Sequence, residues 1–326
     1  MEPIEILRLN LLSPMVLAFQ LGVLATVMKS DLKIPEAISS IITLYLLFAI
    51  GLKGGFDLST APLDAFWGAA AVAVLMGLII VSVSYGLMRR VARFDRANAV
   101  SIAIHYGGVS AVTLSAAVAF LQEIGQPLEG FMPAMYVIME LPAIMLALVI
   151  LGARHAEERQ PLREVIVNAL SGKSALLLGG GIIIGAVSGV EGKAIVAPFF
   201  VDMFPGILTL FFLEMGMLVA HRISDIRRTG LPLAIFALLM PIAAGSLAIA
   251  LSTLVGLSVG GAMVMGTLAA SASFITAPAV VQTNIPDANP GLPLTVAMAI
   301  TLPFNLVLGL PLFLELARLL STLTTS

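Results

Sequence analysis

The chain is poor in charge. Lys, Arg, Asp and Glu make up 11% of its 326 residues, against about 25% in a soluble globular protein. Cysteine is absent, so disulfides and thiolate metal sites are excluded. The net charge of −2 leaves no basic surface for nucleic acid. A basic leader is missing as well. Glu2 and Glu5 stand where a signal peptide carries positive charge, and no small-x-small pattern precedes Lys29. The first apolar run is therefore expected to be a membrane span. What the chain has in excess is apolar sequence, with 59% hydrophobic residues and a mean hydropathy of +1.07. Its many apolar runs of about 20 residues predict an all-α, polytopic integral membrane protein.

Hydropathy predicts ten spans, near 11–28, 35–52, 64–88, 97–123, 130–152, 174–190, 200–220, 231–254, 258–284 and 291–317. With the N-terminus outside, Lys29, Lys33, Arg89, Arg90, Arg93, Arg96, Arg154, Arg159, Arg163, Lys173, Arg222, Arg227 and Arg228 fall on inner segments. Only Arg8, Lys53, Lys193 and Arg318 fall outside, which accounts for all 17 basic residues. The positive-inside rule then puts both termini on the outer, periplasmic side of a bacterial inner membrane. The long polar stretch 153–173 lies inside between spans five and six, with a short amphipathic helix expected near 161–170. It reads as a solvated linker, with docking of a regulator as the alternative.

Five spans precede that linker and five follow it, so the second half starts on the opposite side from the first. Halves of this kind, 1–153 and 174–326 about a linker at 154–173, form an inverted repeat if they are structural copies. Internal similarity supports this. At an offset of 163, Ser110, Thr113, Ala116, Val118 and Pro127 fall on Ser273, Thr276, Ala279, Val281 and Pro290. Met139-Glu140-Leu141-Pro142 answers Ile300-Thr301-Leu302-Pro303, and Gly51-Leu52 answers Gly216-Met217.

The matched phrases sit mid-span in spans four and nine. They read His105-Tyr106-Gly107-Gly108-Val109-Ser110 and Ser271-Ala272-Ser273-Phe274-Ile275-Thr276-Ala277-Pro278. Paired glycines and a proline weaken a helix, so two discontinuous helices are expected. A break survives in a bilayer only where protein or water satisfies it. Ser110 is the expected N-cap of one second half-helix, and Ser273 or Thr276 of the other. Two such positive helix ends make an anion site without Lys or Arg, and no span carries either at its middle. The plainer reading is that these small residues are packing positions in ordinary helices.

Glu140 and Glu214 lie well inside spans and must face protein or water. Each is either a cation or proton ligand or a structural carboxyl. His105, beside the first break, is a pH-responsive or substrate group or a packing residue. His221 and Asp225 are expected at the inner membrane edge. Gly181, Gly185 and Gly189 recur every four residues and predict a helix-packing face. Gly108-x-Ser110 is the setting of a serine nucleophile, but no histidine falls on another span at that depth, so the chain is not read as an enzyme. Gly172-Lys173-Ser174 lacks the upstream glycine of a P-loop.

Several phrases carry a family resemblance. They are Leu12-Ser13-Pro14, Ile34-Pro35-Glu36-Ala37-Ile38, Ile50-Gly51-Leu52-Lys53-Gly54-Gly55, Gly107-Gly108-Val109-Ser110, Met139-Glu140-Leu141-Pro142-Ala143, Met215-Gly216-Met217 and Ile285-Pro286-Asp287-Ala288-Asn289-Pro290. In this order and spacing the chain resembles the sodium-dependent bicarbonate transporters known from cyanobacteria and other bacteria. The resemblance implies a core and a gate domain, elevator-like transport and a homotrimer. It also implies bicarbonate bound around Gly107, Gly108, Ser110, Thr113, Ser271, Ser273 and Thr276, with sodium symported near Ser271, Ser273 and Glu140. Two departures fall on the site. Ala111-Val112 stands where the family is richer in serine and glycine, and Phe274 where it has an aspartate. The linker is shorter than in cyanobacterial members, where a PII-like protein is the expected partner. Three functions are therefore carried forward. They are sodium-coupled bicarbonate uptake, proton-coupled or uncoupled transport of another anion through Glu140 and His105, and a sensor or scaffold docking a partner through the linker.

Overall fold

A computed structural model describes residues 3–59, 65–151, 167, 170–223 and 225–324. Among these the fold is all-helical, with no strand. Helix α1 (Pro3–Leu12) meets α2 (Pro14–Val27) at a bend of 56°. Ser13 makes the bend, its hydroxyl accepting the Val16 N–H at 3.3 Å, and Pro14 opens α2 where its missing N–H is harmless. There follow α3 (Glu36–Leu58), α4 (Phe66–Arg90), α5 (Arg96–Gly107), α6 (Ala111–Glu123) and α7 (Met132–Leu151). The second half holds α8 (Lys173–Ala197), α9 (Phe204–Ile223), α10 (Leu231–Leu254), α11 (Val259–Ala269), α12 (Thr276–Asn284), α13 (Gly291–Val296) and α14 (Leu310–Thr324). The last two are joined through π-helical turns at Ala297–Thr301 and Asn305–Gly309, on either side of Pro303. Asn10 donates to the Leu306 and Val307 carbonyls at 2.9 and 3.0 Å, satisfying groups that the second π turn releases.

Among the described residues seven helical stretches are long and apolar enough to cross a membrane, or eight with α1 and α2 as one span. The chain is a multi-pass membrane protein. The difference from the expected ten has two sources. The spans expected at 174–190 and 200–220 run on as one helical stretch, Lys173–Ile223, through a π-helical turn at Pro198–Asp202. The span expected at 258–284 is divided into α11 and α12, each shorter than a crossing. Most of the expected linker, with Arg154, Arg159, Arg163 and the helix expected near 161–170, lies outside the described residues.

The helices pack as two groups. In one, α3 lies along α8 and α2 along α9. In the other, α4 packs on α5 and α7, and α10 on α11 and α14, with α4 against α10. The first group is held by glycine contacts. A Cβ on Gly55 would stand 2.2 Å from the Ile182 carbonyl oxygen, and one on Gly185 2.4 Å from that of Leu52. Gly22 and Gly216 meet α9 and α2 in the same way, at 2.0 Å from the Leu213 and Phe19 carbonyls. Backbones this close gain the dispersion and polar contacts that substitute for a hydrophobic drive in lipid. Gly181 and Gly185 thus form the expected packing face. Gly189 does not belong to it, because nothing lies within 4 Å of its would-be Cβ. Its φ of 57° and ψ of −150° put a kink in α8 that only glycine adopts easily.

The second group is built around α5, α6 and α11. Every residue in the central window of Arg96–Glu123 is buried, and so is every residue from Gly260 to Ser273. A span surrounded by protein need not be apolar all round, which is why polar breaks are tolerated here.

Leucine at Gly185 should force α3 and α8 apart and lower the melting temperature of the detergent-purified protein, by overpacking worth about 1–3 kcal/mol or more. Leucine at Gly180, which faces open space, should leave it unchanged.

Candidate functional site

The first break lies between α5 and α6. Gly107 ends α5, and Gly108 turns out of the helix with φ −75° and ψ 158°. That conformation suits any residue, so glycine is required here for space. A Cβ on Gly107 would be 2.2 Å from Val81 Cγ2, and one on Gly108 2.7 Å from Ser273 Cβ. Ser110 caps α6 as expected, its hydroxyl accepting the Thr113 N–H at 3.2 Å. The N–H groups of Ala111 and Val112 remain in the first turn, where the helix cannot satisfy them.

The second break lies between α11 and α12. The N-cap position is Ile275, not Ser273 or Thr276 as expected, and it offers no side-chain cap. Ser273, two residues earlier, substitutes, its hydroxyl accepting the Ala277 N–H at 3.2 Å. Thr276 is the first residue of α12 and Pro278 the third, where a missing N–H does no harm.

The two breaks clasp each other. The Ser110 N–H donates to Ser271 Oγ at 2.9 Å, and the Ser273 N–H donates to the His105 carbonyl at 2.7 Å. The Ser271 hydroxyl itself donates to the Leu268 carbonyl at 2.7 Å. Gly107, Gly108, Ser110, Thr113, Ser271 and Ser273 are all buried, and Thr276 is half-buried. Tertiary packing has thus brought the expected site residues together, 161 positions apart in the chain for the Ser110–Ser271 pair.

Glu140 joins them. The Tyr136 and Thr276 hydroxyls and the Val109 N–H of the first break face its carboxyl. The residue is 4% exposed, and Oε1 has no hydrogen-bond partner. Such an oxygen is costly to leave unmet. Glu214 lies apart, on α9 in the other helix group, also buried with Oε2 unpartnered. His105 holds the Ser101 carbonyl at 2.8 Å through Nδ1, while Nε2 is buried without a partner. Among the described residues no three His, Asp or Glu side chains gather, so a cation here would rest on Glu140, hydroxyls and break carbonyls.

Other contributors were not singled out from sequence. Asn305 donates to the Ala270 carbonyl at the end of α11, 2.8 Å away. Tyr106 and Thr301 share a hydrogen bond of 2.8 Å, and Thr301 donates to the Ala237 carbonyl at the same distance. Tyr136 beside Glu140 was missed as well. An Asn in mid-span and a Tyr one helical turn before Glu140 were the available signals.

A cavity of about 540 Å³ opens beside the second break, lined by Phe274 and Ile275, by Ser39 and Thr43 of α3, and by Phe211, Met215, Leu218, His221 and Arg222 of α9. Asp225 also lines it. His221, Arg222 and Asp225, expected as edge residues, therefore line the same cavity as Phe274 and Ile275 of the second break. At the opposite end of the bundle Lys53 bridges the two helix groups, bonding Gln122 Oε1 at 3.1 Å with its ammonium 4.7 Å above the Phe204 ring.

A family model described as the Na+-dependent bicarbonate transporter superfamily matches residues 14–318. No curated protein matches the chain.

Alanine at Ser271 should destabilise the fold by about 1–3 kcal/mol, because the buried Ser110 N–H loses its acceptor. Thermal unfolding in detergent reads this. Alanine at Ser188, an exposed hydroxyl bonded to its own helix at Ile184, should not change it.

Proposed function

The chain belongs to the Na+-dependent bicarbonate transporter superfamily, and from that premise we propose that it carries bicarbonate with sodium across a bacterial inner membrane, by alternating access. The observation that supports this most is the clasp of the two broken helices. Bicarbonate is held at the α6 and α12 N-termini by free N–H groups and the helix dipoles, with Gly107, Gly108, Ser110, Thr113, Ser271, Ser273 and Thr276 around it. Sodium takes Glu140, Ser271 and Ser273 together with carbonyls of the breaks.

Helix packing supports a 5+5 inverted repeat, 1–153 and 174–326 about a linker at 154–173. If the helices of one half are exchanged for those of the other, the contact of α2 with α9 becomes that of α8 with α3. The contacts of α4 with α5 and α7 become those of α10 with α11 and α14. The group of α2, α3, α8 and α9 is then the gate, and the group carrying the breaks is the core that moves in an elevator-like step. Arg222 lies at the end that the positive-inside rule assigns to the cytoplasm, with both termini periplasmic. The cavity at that end and the Lys53–Gln122 bridge at the other correspond to an inward-facing form. A homotrimer is carried over from the resemblance. So is a PII-like regulator, whose expected linker lies outside the described residues.

Uptake of labelled bicarbonate into proteoliposomes tests the reading. An inward sodium gradient should drive it, and Ser110→Ala and Ser273→Ala should each lower it about tenfold or more, in the range of a lost hydrogen bond to a charged group. Full uptake by both variants would remove the site assignment.

One observation favours a second reading. Glu140 Oε1 and His105 Nε2 are both buried without partners next to the first break, which is an arrangement suited to proton-coupled transport. Uptake that ignores sodium and follows an imposed pH gradient, and that loses this dependence in Glu140→Gln, would establish it over sodium symport.

A further inference from the structure

The cavity beside the second break is mismatched to a small hydrophilic ion. Its volume of about 540 Å³ lies in the range that encloses an organic molecule of drug size. Its walls divide by chemistry. Phe211, Met215, Leu218, Phe274 and Met298 make an apolar flank, while Arg222 and the Ser39 and Thr43 hydroxyls supply the polar side. Arg222 is half-buried and forms no salt bridge or side-chain hydrogen bond with any described residue. Asp225 lines the same cavity without pairing with it. A guanidinium left with its donors unspent at the rim of an apolar pocket suits a carboxylate, which it meets through two parallel hydrogen bonds. An apolar chain attached to that carboxylate would cover the flank and leave water. The nearby Asp225 carboxylate disfavours heads of higher negative charge.

We propose that this cavity binds a monoanionic amphiphile of the medium-chain carboxylic acid class, its head on Arg222 and its chain along Met215 and Phe274. The flank is drawn from α9 on one side and from the second break on the other, so the ligand spans the two helix groups and wedges them in the form seen here. The wedge rests on the transport reading above, whereas the binding site does not. An anionic head on an apolar chain is also the chemistry of a lipid, and the experiment separates the two sources.

The full-length protein in phosphatidylcholine nanodiscs is titrated with octanoate by calorimetry, with empty discs subtracted. Saturable binding near one per chain is expected. Arg222→Gln should weaken it about tenfold, Met215→Trp should abolish it by filling the cavity, and octan-1-ol should bind far more weakly than octanoate. Ser188→Ala should bind octanoate as the parent does, because Ser188 does not line the cavity. Binding retained in discs that contain phosphatidylglycerol assigns the site to the free acid. Binding lost only in those discs assigns it to a lipid of the same chemistry. Octanoate that partitions equally into empty discs, or that binds both cavity variants as it binds the parent, overturns the site. In proteoliposomes, octanoate that binds without slowing bicarbonate uptake overturns the wedge and leaves the site standing.

Discussion

A helix broken inside a bilayer releases N–H and C=O groups that lipid cannot satisfy. The structure depends on how that demand is met. Each break answers the other, through Ser110 with Ser271 and Ser273 with the His105 carbonyl. Part of what remains is taken up by the following helices. Glu140 of α7 faces the Val109 N–H, and Asn305, between α13 and α14, takes the Ala270 carbonyl. The first break and the second as far as Ser273 are buried within the surrounding helices, so these polar groups sit where protein, not lipid, is their solvent.

The same exchange recurs at the membrane edges. The loop after α12 meets the start of α5, where the Asn289 N–H donates to Asn98 Oδ1 at 2.8 Å. The loop after α6 meets the start of α11, where Glu129 accepts the Ser258 N–H at 2.6 Å and its hydroxyl at 3.0 Å. Each half thereby anchors the broken helix of the other half near its entry as well as at its centre. A clasp held at three levels keeps two short half-helices in register, which neither could maintain alone at 9 to 13 residues.

The group of α2, α3, α8 and α9 is joined by a different force. Glycines at Gly22, Gly51, Gly55, Gly185 and Gly216 let backbones meet, giving a rigid group with little polar content at its contacts. Where this group faces the broken helices the fit is looser, and the cavity between Arg222 and Phe274 opens there. Close packing within this group and a void beside it support the proposed movement of the two groups against each other.

Much of this was legible in the residues. The apolar runs of about 20 residues establish a helical membrane protein, because lipid admits only helices and closed barrels, and barrel strands are shorter and alternate in polarity. The paired glycines, Pro278, the serines and the mid-span Glu140 mark the breaks, since each departs from what an apolar span requires. The cap Ser110 stands where local chemistry requires it, whereas Ser273 reaches its helix from two residues ahead of the N-cap position. Gly189 shows the limit of periodicity. Its spacing is that of Gly181 and Gly185, yet its φ of 57° places it at a kink, and spacing does not encode a dihedral. What tertiary structure alone decided is which residues meet. Ser110 finds Ser271, Thr276 reaches Glu140, and Arg222 comes to share a cavity with Phe274. These partners belong to different helices, and their meeting is set by how the helices pack, about which a hydropathy pattern says nothing.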